Sequence, residues 1–289
     1  MDQITFPVIL KPRDLGASVA VHEARSPQEL RELWAQASRE VSNFRLPFHK
    51  GQFLLESFVQ RKSIPGLPFG ELSVETVSFG GRHYPVAFTD KRVLSDELPV
   101  ENGQLVPAPL VKRDAGLRSL LSRVVCSVLD DCGIDWGITH NEIILSEGGQ
   151  TVVEIHLRPA GDRIVDLVYH ALQINLYEIL FRMAMGEALD EAWLTPKTDL
   201  AAMIHFFDFA RTGDAEVVDL QYLHCVSTDE DVIDLKFDTK QRLLHAVNGY
   251  FQRYGYVMCR GGSPEGAEAN VRRVLRKIEE IVVPEEASP

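Results

Sequence analysis

Cysteine is scarce in this sequence and shows no pairing pattern. The 289 residues include four cysteines, and no two of them form a CxxC motif. Isolated cysteines in an intracellular chain are most simply small buried hydrophobic residues, so we expect no disulfide and no zinc cluster. The cysteines are Cys126, Cys132, Cys225 and Cys259.

Long hydrophobic runs and an excess of basic residues are also lacking. No segment is long and apolar enough to span a bilayer, and the N-terminus does not have the basic and apolar regions of a signal peptide. Forty-two acidic residues against thirty basic ones give a formal charge of -12, which repels a phosphate backbone. We therefore expect a cytoplasmic globular protein that binds neither nucleic acid nor membrane.

The N-terminal sixty residues predict a small β-β-α-β unit. Apolar runs ending at proline or a loop indicate strands at residues 6–10, 19–22 and 52–59. Ser26 and Pro27 form a helix start, with serine as the cap and proline at the first helical position, and the helix is expected to reach about Arg39.

Hydrophobic periodicity predicts the elements of the later chain. Two hairpins are expected, 71–79 with 84–88 around Gly80 and Gly81, and 137–145 with 151–157. Helices are expected at 117–132, 166–185 and 264–281, and strands at 202–209, 217–226 and 256–259. We assign the three tryptophans and the apolar stripe within 172–183 to packing, and we divide the chain into domains at 1–60, 61–195 and 196–289.

Two glutamates on the second predicted hairpin suit a metal ion. Glu142 and Glu154 lie on adjacent antiparallel strands, where opposed side chains are within about 5 Å of each other. Carboxylates so placed are suited to Mg²⁺, which binds one or two of them together with nucleotide phosphates. Taken alone, two glutamates on a hairpin are more often solvated surface charge than metal ligands.

The surrounding segments resemble one family. Residues 154–164 (EIHLRPAGDRI) resemble the ATP-grasp metal strand, in which E-x-N-x-R-P-G-G-D leads into a helix. Upstream, FPVILKP with LGAS resembles the phosphate-gripping strand and loop, LLESFV the adenine hinge, and GELSVE the strand after it. The segments FQRYGYV and SPEGA resemble the C-terminal end of carboxylate–amine ligases. Order and spacing together make the chain similar to an ATP-grasp carboxylate–amine ligase of the L-amino-acid ligase type.

This resemblance implies an α+β protein with the ATP-grasp fold, in which two α+β subdomains grip ATP and a C-terminal α/β subdomain follows. It implies an ATP-dependent ligase that joins a small carboxylate, such as an amino acid, to an amine through an acyl phosphate. The implied cofactors are ATP and Mg²⁺, with Mn²⁺ as an alternative.

The resemblance also assigns roles to single residues. Phosphate contacts are implied for Lys11, Gly16, Ala17 and Ser18, adenine contacts for Glu56, Phe58 and Val59, and ribose contacts for Glu71. Catalytic roles are implied for Lys91, His140, Arg158 and Arg163, and metal binding for Glu142, Glu154 and His156. The alternatives are a solvated lysine at Lys11, an exposed loop lysine at Lys91, a structural histidine at His140, and surface ion pairs for the two arginines.

Two departures from the family pattern leave alternatives open. His156 stands where the family has asparagine, so it either binds a metal through nitrogen or has left the metal shell. The family's N-terminal domain is not recognisable, so the chain is either an active ligase, alone or with a partner, or a nucleotide-binding module without turnover. The partner is expected to be a protein carrying the N-terminal domain, or a second copy in a homodimer.

Overall fold

The computed structural model describes residues 4–16, 18–43, 51–93, 101–207, 215–217, 220–237, 243–244 and 253–284. The chain forms two compact units, Met1–Gln60 and Arg61–Pro289, and each unit is described by itself. The three-part division made from the sequence stays a prediction.

The first unit is a three-stranded antiparallel sheet covered by one helix. Its elements are β1 (Val8–Pro12), β2 (His22–Ala24), α1 (Pro27–Asn43) and β3 (Phe53–Ser57), with strand order β2-β1-β3. The helix begins as predicted, because the Ser26 hydroxyl accepts from the backbone amide of Glu29 at 3.2 Å. The predicted second strand is misplaced, since β2 begins only at His22 and Val19 lies in a turn.

The second unit is built on one eight-stranded sheet. Its strands are β4 (Glu71–Phe79), β5 (Arg82–Val93), β6 (Glu101–Val106), β7 (Trp136–Ser146), β8 (Gly149–His156), β9 (Ala201–Phe206), β11 (Val232–Phe237) and β13 (Gly255–Gly261). They run in the order β11-β13-β9-β6-β5-β4-β7-β8. A small separate sheet has the order β12-β10-β14 and consists of β10 (Ala215–Val217), β12 (Leu243–Leu244) and β14 (Val282–Pro284).

Helices cover the large sheet and bury its apolar side chains. They are α2 (Pro109–Arg113), α3 (Ala115–Asp131), α4 (Ile164–Leu172), α5 (Leu176–Ala184), α6 (Leu220–Ser227) and α7 (Pro264–Glu279), with a short 3₁₀ turn at Glu191–Leu194. In one cluster, Leu121 and Val125 of α3 pack with Leu72 of β4. In another, Leu167 and Ile179 of α4 and α5 pack with Val77 of β4.

Both predicted hairpins are present. In the first, Gly80 and Gly81 have φ of 60° and 73°, the left-handed values that a tight β4–β5 turn requires and that glycine adopts without strain. Strand β5 runs five residues beyond the predicted end at Phe88, to Val93. This extension places Lys91 in a central strand rather than in a loop.

Two predicted elements are wrong. The helix predicted at 166–185 is two helices that meet at 103°. Gln173 takes a left-handed conformation, and the Asn175 side chain caps α5 by accepting from the Glu178 amide at 3.1 Å. The strand predicted at 217–226 contains helix α6, because the buried Leu223 and Val226 follow helical spacing. Strands β6 and β11 and helix α2 were not predicted.

The cysteine and tryptophan predictions hold in part. All four thiols are free, but only Cys259 is buried, while Cys132 and Cys225 are exposed. Trp193 packs against a core cluster, whereas Trp34 and Trp136 are about two-fifths exposed. Within the described ranges, no single helix is long and apolar enough to cross a membrane, and α4 with α5 meet that length and composition test only as a bent pair.

Candidate functional site

Charged side chains line one face of the central strands in the second unit. In the β4–β7 ladder, Glu75 lies opposite His140 and Ser73 lies opposite Glu142. In the β7–β8 ladder, Glu142 lies opposite Glu154. Because alternate residues of a strand share a face, these side chains project from the same side of the sheet. The register thus confirms that Glu142 and Glu154 are cross-strand neighbours.

Lys91 is the buried cation of this face. Its side chain is 1% exposed, and its ammonium lies 2.6 Å from Glu142 Oε1, 2.8 Å from Glu101 Oε1 and 3.3 Å from Glu71 Oε1. Burial alone would lower the pKa of Lys91, but the three carboxylates outweigh it and hold that pKa well above its usual value. The alternative of an exposed loop lysine is therefore wrong.

His140 is held between two carboxylates. Its Nδ1 lies 3.0 Å from the fully buried Glu75, and its Nε2 lies 3.1 Å from Glu142 Oε1. Burial lowers the pKa of His140, but Glu75 and Glu142 outweigh this effect and raise the pKa to about 9. His140 is thus a cation at neutral pH, which adds a second positive group beside Lys91.

The pair Glu142 and Glu154 fits a hard cation by donor chemistry. Burial would raise the pKa of Glu142, but Lys91 and His140 outweigh burial and lower it, so the carboxylate stays ionised. Lys91 and His140 both contact the same oxygen of Glu142, Oε1. Glu154 pairs with His156 at 3.0 Å. In the part of the chain that is described, no group of three or more His, Cys, Asp and Glu side chains is arranged to hold a metal, so a metal here would take its other ligands from phosphate or water.

His156 stacks on His140 rather than pointing away from the site. The two ring centroids are 5.8 Å apart with an interplanar angle of 20°. The structure therefore places His156 at the edge of the cluster, and whether it binds a metal stays a prediction.

The two candidate arginines are engaged elsewhere. Arg158 is exposed and donates to the carbonyl of Pro159. Arg163 forms ion pairs with Asp166 at 3.2 Å and Asp234 at 3.3 Å. None of the contacts found among the described residues links either arginine to Lys91, so their catalytic roles stay predictions.

Three residues of the charged face were missed from the sequence. Glu75 was detectable, because it lies four residues after Glu71 and therefore on the same face of β4. Glu101 lies on the unpredicted strand β6 and carried no signal. Arg253 donates to the backbone carbonyl of Glu101 and pairs with Asp162 at 2.9 Å. Its segment was recognised, but its partners are distant in sequence.

Glu71, the predicted ribose ligand, belongs to the same cluster. It is largely buried, and besides Lys91 it contacts Arg61 at 2.9 Å. Its carboxylate thus lies between two cations in the structure, and its contact with ribose stays a prediction.

The first unit brings together some of the residues expected to bind the nucleotide. Lys11 and Glu56 lie on neighbouring strands β1 and β3 and form an ion pair at 2.9 Å. Gly16 and Ser18 are exposed, and Ala17 lies outside the described residues. The amide of Phe58 donates to the carbonyl of Pro7, and Val59 is half-buried. Their contacts with ATP stay predictions.

Comparison with known structures identifies the fold. The chain is similar to the L-amino acid ligase from Bacillus licheniformis, with a TM-score of 0.73 and 18% identity over 99% of this chain and 65% of that one. It is also similar to the phosphoribosylglycinamide synthetase from Anaerococcus prevotii, with a TM-score of 0.64 and 12% identity over 98% of this chain and 66% of that one. The predicted ATP-grasp fold, of the α+β class, is confirmed.

Sequence comparison identifies the family. Residues 4–166 match the ATP-grasp domain family, and the chain belongs to it. It is also 24% identical over 285 residues to the uncharacterized protein y4rH of Sinorhizobium fredii, covering 98% of this chain and 54% of that protein. The chain thus spans less than two thirds of the length of these relatives.

Proposed function

We propose that this protein is an ATP-dependent carboxylate–amine ligase that forms an amide or peptide-like bond through an acyl phosphate and releases ADP and phosphate. The observation that carries the proposal is the buried Lys91 ammonium beside the cross-strand pair Glu142 and Glu154. A cation next to two metal-binding carboxylates suits phosphoryl transfer, in which catalysis comes from neutralising the charge of the transferred group. The structural similarity to an L-amino acid ligase supports amino acids as substrates.

The reaction has two displacements. A substrate carboxylate oxygen attacks the γ-phosphorus of ATP, the bond to the ADP oxygen breaks, and an acyl phosphate forms. The amine nitrogen then attacks the acyl carbon, phosphate leaves with the bonding electron pair, and the amine gives up a proton.

Each candidate side chain has a separate role in this reaction. Lys11 binds the α- and β-phosphates, and Lys91 faces the transferred phosphate as a point charge. His140, held by Glu75, adds a second cation at that position. Glu142 and Glu154 hold Mg²⁺, which supplies further charge neutralisation when bound.

Product release by the purified chain tests the proposal. ADP and phosphate are measured with ATP and Mg²⁺ across a panel of amino acids and small acids, and the amide product is identified by mass spectrometry. The matched control is Glu154→Gln, which removes a metal-binding charge and preserves shape. Release that needs no carboxylate substrate, or equal release by Glu154→Gln, would contradict the proposal.

A second candidate is a nucleotide-binding module or one half of a split ligase. This chain spans 65% of the L-amino acid ligase to which it is similar. Adding a protein that carries the remaining domain should then produce turnover that the isolated chain lacks. Equal turnover by the isolated chain and the pair would exclude this candidate.

A further inference from the structure

Glu101 is held in one orientation beside Lys91. It is the first residue of β6, which pairs with β5 so that Gln104 lies opposite Lys91. Glu101 Oε1 lies 2.8 Å from the Lys91 ammonium, and Oε2 accepts from Gln104 Nε2 at 2.6 Å. Each carboxylate oxygen therefore has its own partner, which fixes the direction from which Glu101 attracts Lys91.

The other two carboxylates around Lys91 are shared with other cations. Glu71 also contacts Arg61, and Glu142 contacts His140 and is a candidate metal ligand. A divalent cation on Glu142 would weaken its attraction for Lys91, because both cations would draw on the same negative charge. Glu101 keeps its attraction, since its side-chain partners within the described residues are Lys91 and the neutral Gln104.

Arg253 connects the backbone of Glu101 to the segment that follows β8. Arg253 donates to the Glu101 carbonyl and forms an ion pair with Asp162 at 2.9 Å. Asp162 follows β8, the strand that carries Glu154. Arg253 thus connects the backbone beside Lys91 to the segment that follows the strand of the candidate metal site.

We infer that Glu101 is a positioning residue that holds the Lys91 ammonium toward the transferred phosphate while the metal takes the charge of Glu142. The inference rests on the proposed function. Without the charge of Glu101 and with the metal drawing on Glu142, the Lys91 ammonium keeps only Glu71, at 3.3 Å, as a fully attracting carboxylate and leaves the position beside the phosphate. Glu101 therefore discriminates ATP from ADP through Lys91, without touching the nucleotide.

A double-mutant cycle, measured by melting temperature, tests the interaction between Glu101 and Lys91 in the absence of nucleotide. The four proteins are wild type, Glu101→Gln, Lys91→Met and the double variant. We expect Glu101→Gln to lower the melting temperature of wild type and to raise that of Lys91→Met, since in Lys91→Met it removes a partly buried carboxylate that has lost its cation. The matched control is Glu178→Gln, which breaks an exposed ion pair with Arg182 on α5 and should act equally in both backgrounds. Additive effects of Glu101→Gln would overturn the inference.

The preference for ATP over ADP tests whether the Glu101–Lys91 interaction positions Lys91 for the transferred phosphate. Calorimetry with Mg²⁺ compares a non-hydrolysable ATP analogue with ADP for wild type, Glu101→Gln and Lys91→Met. We expect both variants to lose about tenfold of the preference for the triphosphate, the size of one lost charge-assisted contact, with ADP affinity little changed. If Glu101 had a purely structural role, Glu101→Gln would weaken the binding of both nucleotides equally. That result, or an unchanged preference in Glu101→Gln, overturns the inference about Glu101 and leaves the proposed function standing. No nucleotide binding by wild type overturns the proposed function as well.

Discussion

Replacing Lys91 by methionine should destabilise the second unit strongly. Methionine keeps the length and apolar stem of lysine but removes the ammonium, which is 1% exposed and contacts Glu71, Glu101 and Glu142. One buried carboxylate, Glu71, and two partly buried ones, Glu101 and Glu142, then lose their common partner. Removing one member of a buried ion pair is costly because the other charge stays buried without compensation.

The expected size follows from burial. Breaking a buried ion pair costs about 3–5 kcal/mol, a large share of the roughly 5–15 kcal/mol that stabilises a typical protein. For a unit of this size, each kcal/mol shifts the melting temperature by about 2–4 °C, so we expect a fall of about 6–20 °C. The difference in melting temperature between wild type and Lys91→Met should shrink as the pH is lowered, because burial favours the neutral form of each carboxyl group that has lost its cation.

Differential scanning calorimetry of wild type and Lys91→Met across pH 5–8 measures this effect. The matched control is Lys62→Met, which breaks a 2.8 Å ion pair between Lys62 and Glu147, both of which are exposed. An exposed pair is worth at most about 1 kcal/mol, so the control should melt within about 4 °C of wild type. Equal melting temperatures for the two variants would refute the reasoning that the cluster depends on the Lys91 charge.

Three further predictions concern single side chains. Glu154→Gln should abolish amide formation, measured by product assay, with a melting temperature close to that of wild type; an active variant would show that the metal is held elsewhere. If His156 binds the metal, Mn²⁺ or Co²⁺ should support turnover well and His156→Asn should shift the preference back toward Mg²⁺, whereas identical metal profiles would remove His156 from the site. Burial raises the pKa of Asp90 to about 7 despite Arg92, above about 3.9 in the unfolded chain, so the folded state retains a proton and stability should fall as pH rises from about 4 to 7. Asp90→Asn should flatten that part of the stability profile in urea titrations, and an unchanged slope would contradict it.

Prediction from the sequence worked where a local signal fixes the element. The caps at Ser26 and Ser263, each followed by proline, mark the starts of α1 and α7. The glycine pair between β4 and β5 marks a tight turn for the same reason, since few other residues adopt its backbone conformation. The helix break at 173–175 was detectable too, because Asn175 is a favoured capping residue, but the continuous apolar spacing concealed it.

The sequence alone determined the hairpins, the cross-strand pair Glu142 and Glu154 and the order of the family motifs, because these depend on neighbours a few residues apart or on recognisable segments. Only the tertiary structure decided that β6, a strand of weak β-propensity, lies between β5 and β9. That insertion buries Lys91 and brings Glu101 to it, and Arg253 then reaches Glu101 across 152 positions of sequence. Local periodicity carries no information about which distant strands pair, so these contacts arise from the packing of the whole sheet.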